Sequence, residues 1–224
     1  MRKNILNAFK PSDIISEPHL FAGRKKLIMA LADALQIDGS CPVIFGERGV
    51  GKSSLAMQAM RIGLGDIELL SILELYTYGI PKDSLFHAFW VSCSEQMKGR
   101  DNIVRKIVHS IQRYIENPKS MSTSTKIKVN LKVIEGETTT VIQNNEPRNA
   151  IDVEEEFFDV VSRAEAAGVE RFLIILDEFD RVESSAGIAN FIKSNSSDKM
   201  KFILVGIADD IAQLLTSYSR FRPF

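Results

Sequence analysis

Hydrophobic positions along this chain recur with two periods, and the changes of period mark its elements. Over residues 25–37, Leu27, Ile28, Leu31, Ala34 and Leu35 fall at three- and four-residue spacing, which predicts a helix with one apolar face. Asp38-Gly39-Ser40 stops it. Pro42-Val43-Ile44-Phe45 reads as a short apolar strand, and residues 54–60 as a helix that ends near Gly63 and Gly65. A second helical stretch covers 66–76 and closes at Gly79-Ile80-Pro81. Residues 86–93, short and aromatic-rich, read as a buried strand. The helical period returns over 102–116, with Ile103, Ile107, Val108, Ile111 and Ile115 on one side. Helices are predicted at 152–167, 186–193 and 209–217, and strands at 171–176 and 201–205.

One stretch differs in character. Residues 120–125 are nearly all Ser and Thr. Residues 126–133 then alternate strictly, with Ile127, Val129, Leu131 and Val133 to one face and Lys126, Lys128, Asn130 and Lys132 to the other. Period two predicts a half-buried strand, and Glu135-Gly136-Glu137 can turn it into a second one at 138–143. Region 119–150 therefore reads as an inserted hairpin. It is either a flap over a sheet edge or a contact surface that presents its lysines to a partner or to nucleic acid. Elsewhere strands and helices alternate, which predicts an α/β fold: a mainly parallel sheet with helices on both faces. The expected organisation is an extended leader over 1–20 and one core over 21–224.

Composition narrows the function little. The 224 residues are 45% hydrophobic and 25% charged, with a formal net charge of −1. That gives no strong electrostatic case for nucleic acid or an anionic membrane. No apolar run approaches the ~18 residues of a membrane span, and the N-terminus lacks the apolar segment of a secretory signal. Cys41 and Cys93 are expected as free thiols, which fits a cytoplasmic protein. His19, His87 and His109 do not sit at metal-ligand spacing.

The chemistry concentrates in Gly46-Glu47-Arg48-Gly49-Val50-Gly51-Lys52-Ser53, which fits G-x-x-x-x-G-K-[ST] at every position, between a strand and a helix. Glycines let the backbone curl so that its N–H groups and the helix N-terminus converge on phosphates. Lys52 is expected on the β- and γ-phosphates and the Ser53 hydroxyl on Mg²⁺, with Ser54 next in the binding run. A second motif, Phe172-Leu173-Ile174-Ile175-Leu176-Asp177-Glu178, is an apolar strand closed by two acids. Ligands of parallel sheets bind outside the strands' carboxyl ends. Asp177 is therefore expected to hold Mg²⁺ through water, and Glu178 to polarise the attacking water as general base.

Phe21-Ala22-Gly23-Arg24 before a helix, the loop at 46–53 and Ile175-Leu176-Asp177-Glu178-Phe179-Asp180 together resemble the bacterial AAA+/STAND-type P-loop ATPases, in the branch similar to origin-recognition ATPases. The resemblance spans about residues 21–220. It implies a three-layer P-loop NTPase core with ATP and Mg²⁺ as ligands, and places Gly23 and Arg24 against the adenine or ribose. It puts a polar sensor after the fourth core strand, where Asp209 stands in place of the customary Asn, and an arginine finger at Arg220, with Arg222 as substitute. The family's further strand and helical lid are expected to be missing, since the sequence stops at Phe224. Three functions stay open. One is an oligomeric ATPase switch, assembled as a homo-oligomer or with a protein partner through the ATPase interface, in signalling or phage defence. Another is a nucleotide-dependent DNA-binding protein. The last is an interaction module whose ATP is structural and barely hydrolysed.

Overall fold

Five consecutive apolar residues, Phe172 to Leu176, cannot stand half-exposed, and the chain buries them on both faces. In the computed structural model, which describes residues 13–116, 152–184 and 187–208, they form the core of strand β3 (Phe172–Asp177). Beside it run β1 (Val43–Gly46), β2 (His87–Ser92) and β4 (Met200–Ile207). The spatial order is β1-β4-β3-β2 and every pairing is parallel. Leu176 sits opposite Leu204, Asp177 opposite Ser92, and Gly46 opposite Ile207. This is the α/β architecture with a parallel sheet that the alternation of periods predicts.

Among the described residues, six α-helices cover the two faces. On one lie α1 (Lys25–Gln36), α2 (Lys52–Gly63) and the short α3 (Glu68–Ile72), packed on Ile44, Leu173, Ile175, Ile203 and Val205. On the other lie α4 (Arg100–Glu116), α5 (Val153–Ala166) and α6 (Ile188–Asn195), packed on Phe89, Phe172, Ile174, Phe202 and Leu204. Alternate residues of the strands thus serve opposite cores, as the two-residue strand period requires. Helix α2 approaches β3 very closely. A Cβ on Gly63 would lie 2.8 Å from the Leu173 side chain, so glycine is what lets the helix sit there.

Several boundaries differ from the sequence expectation for local reasons. The helix predicted over 66–76 stops at Ile72 because Glu74 turns left-handed (φ 55°). The N–H groups of Glu74 and Leu75 then bond back to Ser71 and Leu70 in a Schellman closure, the cap usually built on glycine. The apolar face of α1 is rotated: Leu27 is 50% exposed, and Ala32 is buried in its place. In α4, Val104 is buried while Val108 and Ile115 lie at its margin. Strand β4 runs from Met200 to Ile207, longer at both ends than 201–205. It also carries Lys201, fully buried, whose ammonium donates to the Ile37 carbonyl at the end of α1. A cation at a helix C-terminus complements its dipole, while burial lowers the Lys201 pKa.

The segment read as an extended leader is docked where it is described. The Ile15 N–H donates to Ser54 Oγ at 3.0 Å, and Gln58 Nε2 donates to the Ile15 and Ser16 carbonyls at 2.9 and 3.3 Å. Ser54 and Gln58, one helical turn apart on α2, bind this strap instead of facing water. The inserted hairpin at 119–150 with Lys126, Lys128 and Lys132, the helix at 209–217, Asp209, Arg220 and Arg222 lie outside the described residues. No helix among the described residues is long and apolar enough to cross a membrane.

Candidate functional site

The loop at 46–51 leaves β1 at the carboxyl edge of the sheet and feeds directly into α2. Gly46, Gly49 and Gly51 all take positive φ (140°, 81° and 81°). At Gly51 two constraints coincide, because a Cβ there would be strained and would also meet the Arg24 guanidinium at 3.3 Å. Lys52 Nζ donates to the carbonyls of Gly46 and Glu47 at 3.0 and 2.7 Å. Arg24 Nη1 donates to the Gly51 carbonyl at 3.0 Å and its Nη2 to the Val50 carbonyl. The loop's carbonyls are thus turned toward cations. Among the described residues, no turn, loop or cap hydrogen bond uses the N–H of residues 47–53 as donor. Those donors lie at an exposed loop and a helix N-terminus, the arrangement that suits an anion.

Strand β4 separates β1 from β3, so their carboxyl ends stand two strand spacings apart, about 9.5 Å. The start of α2 closes that distance. Ser53 Oγ donates to Asp177 Oδ1 at 3.0 Å, across 124 residues of sequence. The Glu178 N–H donates to the same oxygen at 2.9 Å. Asp177 is only 5% exposed. Burial pushes its pKa up, and the charges of Glu178 and Asp180 push the same way, while the bonds from Ser53 and the Glu178 N–H pull it down. Lys52, Ser53 and Asp177 are therefore brought together with the loop glycines.

Glu178 comes next in a left-handed conformation (φ 55°), an uncommon one for a residue with a Cβ. Its carboxylate is paired with Arg181 at 3.1 Å, both side chains 44% exposed. Gly23 and Arg24 also take positive φ, and the Arg24 side chain lies on loop carbonyls. Glu47, Arg48 and Val50 are exposed on the loop. The Ser54 side chain is buried and faces the leader.

Two residues without a sequence-based role hold the site together. Asp180 Oδ1 accepts the Ile207 N–H at 2.7 Å, which ties the acid turn to the end of β4. The third acid in Asp177-Glu178-Phe179-Asp180 was the available signal. Arg181 pairs with Glu178 at i+3, the spacing of one helical turn. Cys93 donates its N–H to the Asp177 carbonyl at 2.8 Å, and burial with the neighbouring carboxylates pushes its thiol up to about 12. Cys41 is raised to about 12 by burial as well, and both cysteines are free. Neither thiol is a nucleophile at neutral pH.

The donor set consists of hard oxygens, a hydroxyl and a carboxylate. No cluster of three or more His, Cys, Asp or Glu among the described residues could cage a metal. A hydroxyl and a carboxylate are donors of the kind Mg²⁺ takes, one or two from the protein beside waters and phosphate oxygens. A pocket of about 270 Å³, lined by Phe157, Phe158, Phe172 and Met200, lies at the opposite end, where β3 and β4 begin, and contains none of these residues. Comparison of the chain with protein-family models, with curated proteins and with solved structures finds no match.

Proposed function

We propose that the protein is a P-loop ATPase of the AAA+/STAND kind, binding Mg·ATP in the 46–53 loop and hydrolysing it. The observation that carries this reading is the Ser53 Oγ–Asp177 Oδ1 bond of 3.0 Å beside backbone N–H groups that have no protein acceptor among the described residues. A phosphate cradle and a metal-binding pair stand in contact, though the sequence separates them widely. The amides of the loop and the Lys52 ammonium hold the phosphate oxygens. Ser53 and Asp177 would hold Mg²⁺, which would supply neutralisation of the phosphate charge. Glu178 accepts a proton from water as the water oxygen bonds the γ-phosphorus and the bridging bond to the β-phosphate breaks, leaving ADP and phosphate. The likeness to AAA+/STAND ATPases supports an assembly in which Arg220 serves a neighbouring subunit and the bound nucleotide switches shape.

Titration calorimetry with Mg·ATP tests this. Wild type binds, Lys52→Ala loses binding, and Glu178→Gln retains binding but loses turnover. Equal turnover in wild type and Glu178→Gln would refute the role of Glu178. A second reading, in which ATP is held and barely hydrolysed, is favoured by one observation: Glu178 is engaged by Arg181 and not free. Retained nucleotide with slow single-turnover hydrolysis would select it.

A further inference from the structure

Arg24 stands beside the loop in a way that assigns it a task different from base recognition. It is the left-handed cap of α1 (φ 58°, ψ 25°), directly after the left-handed Gly23. Its guanidinium reaches 26 and 27 residues along the chain to the carbonyls of Val50 and Gly51. The open end of the fork lies against Gly51, whose missing Cβ would sit 3.3 Å from both Nη atoms and 3.6 Å from Cζ. Trans peptide units are planar, and their C=O and N–H point in opposite directions. Drawing the Val50 carbonyl toward Arg24 therefore turns the Gly51 N–H away from it, and the Gly51 carbonyl, held by Arg24 together with the Leu55 N–H at 3.0 Å, turns the Lys52 N–H away likewise. Those two N–H groups belong to the set that has no acceptor among the described residues.

Lys52 does the same for the peptides that begin at Gly46 and Glu47, but a bound phosphate would affect the two cations differently. The Lys52 ammonium spends two of its three donors on carbonyls and can turn the third to a phosphate. Among the described residues Arg24 faces only carbonyls, so it can remain in place. We infer that Arg24 is a positioning residue for polyphosphate binding: it presets the Gly51 and Lys52 amides and does not read the base or ribose. This rests on the proposed function and specifies how that site is built.

The experiment compares binding of inorganic tripolyphosphate, ATP and GTP, each with Mg²⁺, to wild type, Arg24→Ala and Arg24→Lys. Loss of a two-pronged charged hydrogen bond should weaken tripolyphosphate and ATP by the same factor, about tenfold, and leave the ATP-to-GTP ratio unchanged. The KM for ATP should rise by that factor while kcat stays within about twofold. Arg24→Lys, whose single ammonium lacks the planar fork, should fall between the two. It carries the comparison if the alanine variant fails to fold. Unchanged tripolyphosphate affinity with weakened ATP, or a shifted ATP-to-GTP ratio, would overturn the inference in favour of base or ribose contact. A wild type that binds none of the three would overturn the ATPase reading itself, and this one with it.

Discussion

Replacing Asp177 by Asn should make the ligand-free protein more stable while weakening its use of Mg·ATP. In the variant, the oxygen that accepts from Ser53 Oγ at 3.0 Å and from the Glu178 N–H at 2.9 Å can remain in place. Two charge-assisted bonds become neutral ones, a loss of about 1 kcal/mol each. Against that, a carboxylate that is only 5% exposed gives up a desolvation penalty of several kcal/mol, on the order found for buried ions. Repulsion from Glu178 and Asp180 disappears as well. The raised pKa shows which side is larger, because the folded state disfavours the ionised form relative to the unfolded chain. The net gain should be about 1 kcal/mol, the scale at which relieving a strained functional group usually shows. For a chain of this size that raises Tm by about 2–4 °C.

The sign can be checked against pH. Below the unfolded value of 3.8 both states are protonated and Asp177 costs nothing. As pH rises from there through the raised folded value, the unfolded chain loses the proton first, so the wild type loses stability. The advantage of Asn should therefore be absent in acid, grow across that window and be complete at pH 7. The assay is calorimetric melting in EDTA, repeated with Mg·ATP. Ligand at about 100 times Kd should add roughly 2.7 kcal/mol to wild type and clearly less to the variant. An Asn variant less stable than wild type at pH 7 in EDTA, or an advantage that does not shrink in acid, would refute the reasoning.

Other perturbations address separate joints. Arg181→Ala should free Glu178 from an exposed pair of at most about 1 kcal/mol and raise single-turnover hydrolysis by up to about fivefold; a fall would assign Arg181 a direct role in the reaction. Gln58→Leu leaves the Ile15 and Ser16 carbonyls without their donor and should cost about 1–3 kcal/mol, with faster proteolysis around residues 13–17 as the readout. Gly63→Ala puts a methyl 2.8 Å from the buried Leu173 and should destabilise by about 1–3 kcal/mol, measured by urea denaturation.

What could be read from sequence was what is local. The 46–53 spacing encodes strand, turn and helix within a dozen residues, and the β3 run with two acids at its end encodes a buried strand with a polar terminus. Ser53 and Asp177 were expected to share a role from their chemistry, but their contact comes from the sheet order, which places α2's start over β3. Other non-local features were silent. Nothing in Phe-Ala-Gly-Arg says that the guanidinium lies on Val50 and Gly51, nor that a strand lysine, Lys201, caps α1. The end of α3 was hidden because its left-handed cap is Glu74, where glycine would have been a visible signal. The rotated face of α1 reflects the ambiguity of a 3.6-residue period read over twelve residues.

The joints of this site differ in strength in a way that bears on function. The turn Phe179–Arg181 is anchored by Phe179, 2% exposed, and carries two contacts. Asp180 to the Ile207 N–H is charge-assisted, worth about 1.5–3 kcal/mol; Glu178 to Arg181 is an exposed ion pair worth at most about 1 kcal/mol. The second therefore opens first, and the turn stays fixed to β4 while it does. Asp177 is held from Ser53, from Glu178 and, through its carbonyl, from Cys93, so it does not move with Glu178. Under the proposed function, a fixed carboxylate at Asp177 beside a lightly tethered one at Glu178 separates holding the metal from turning over. On the ATPase reading, changes around residues 178–181 should therefore alter hydrolysis before they alter affinity.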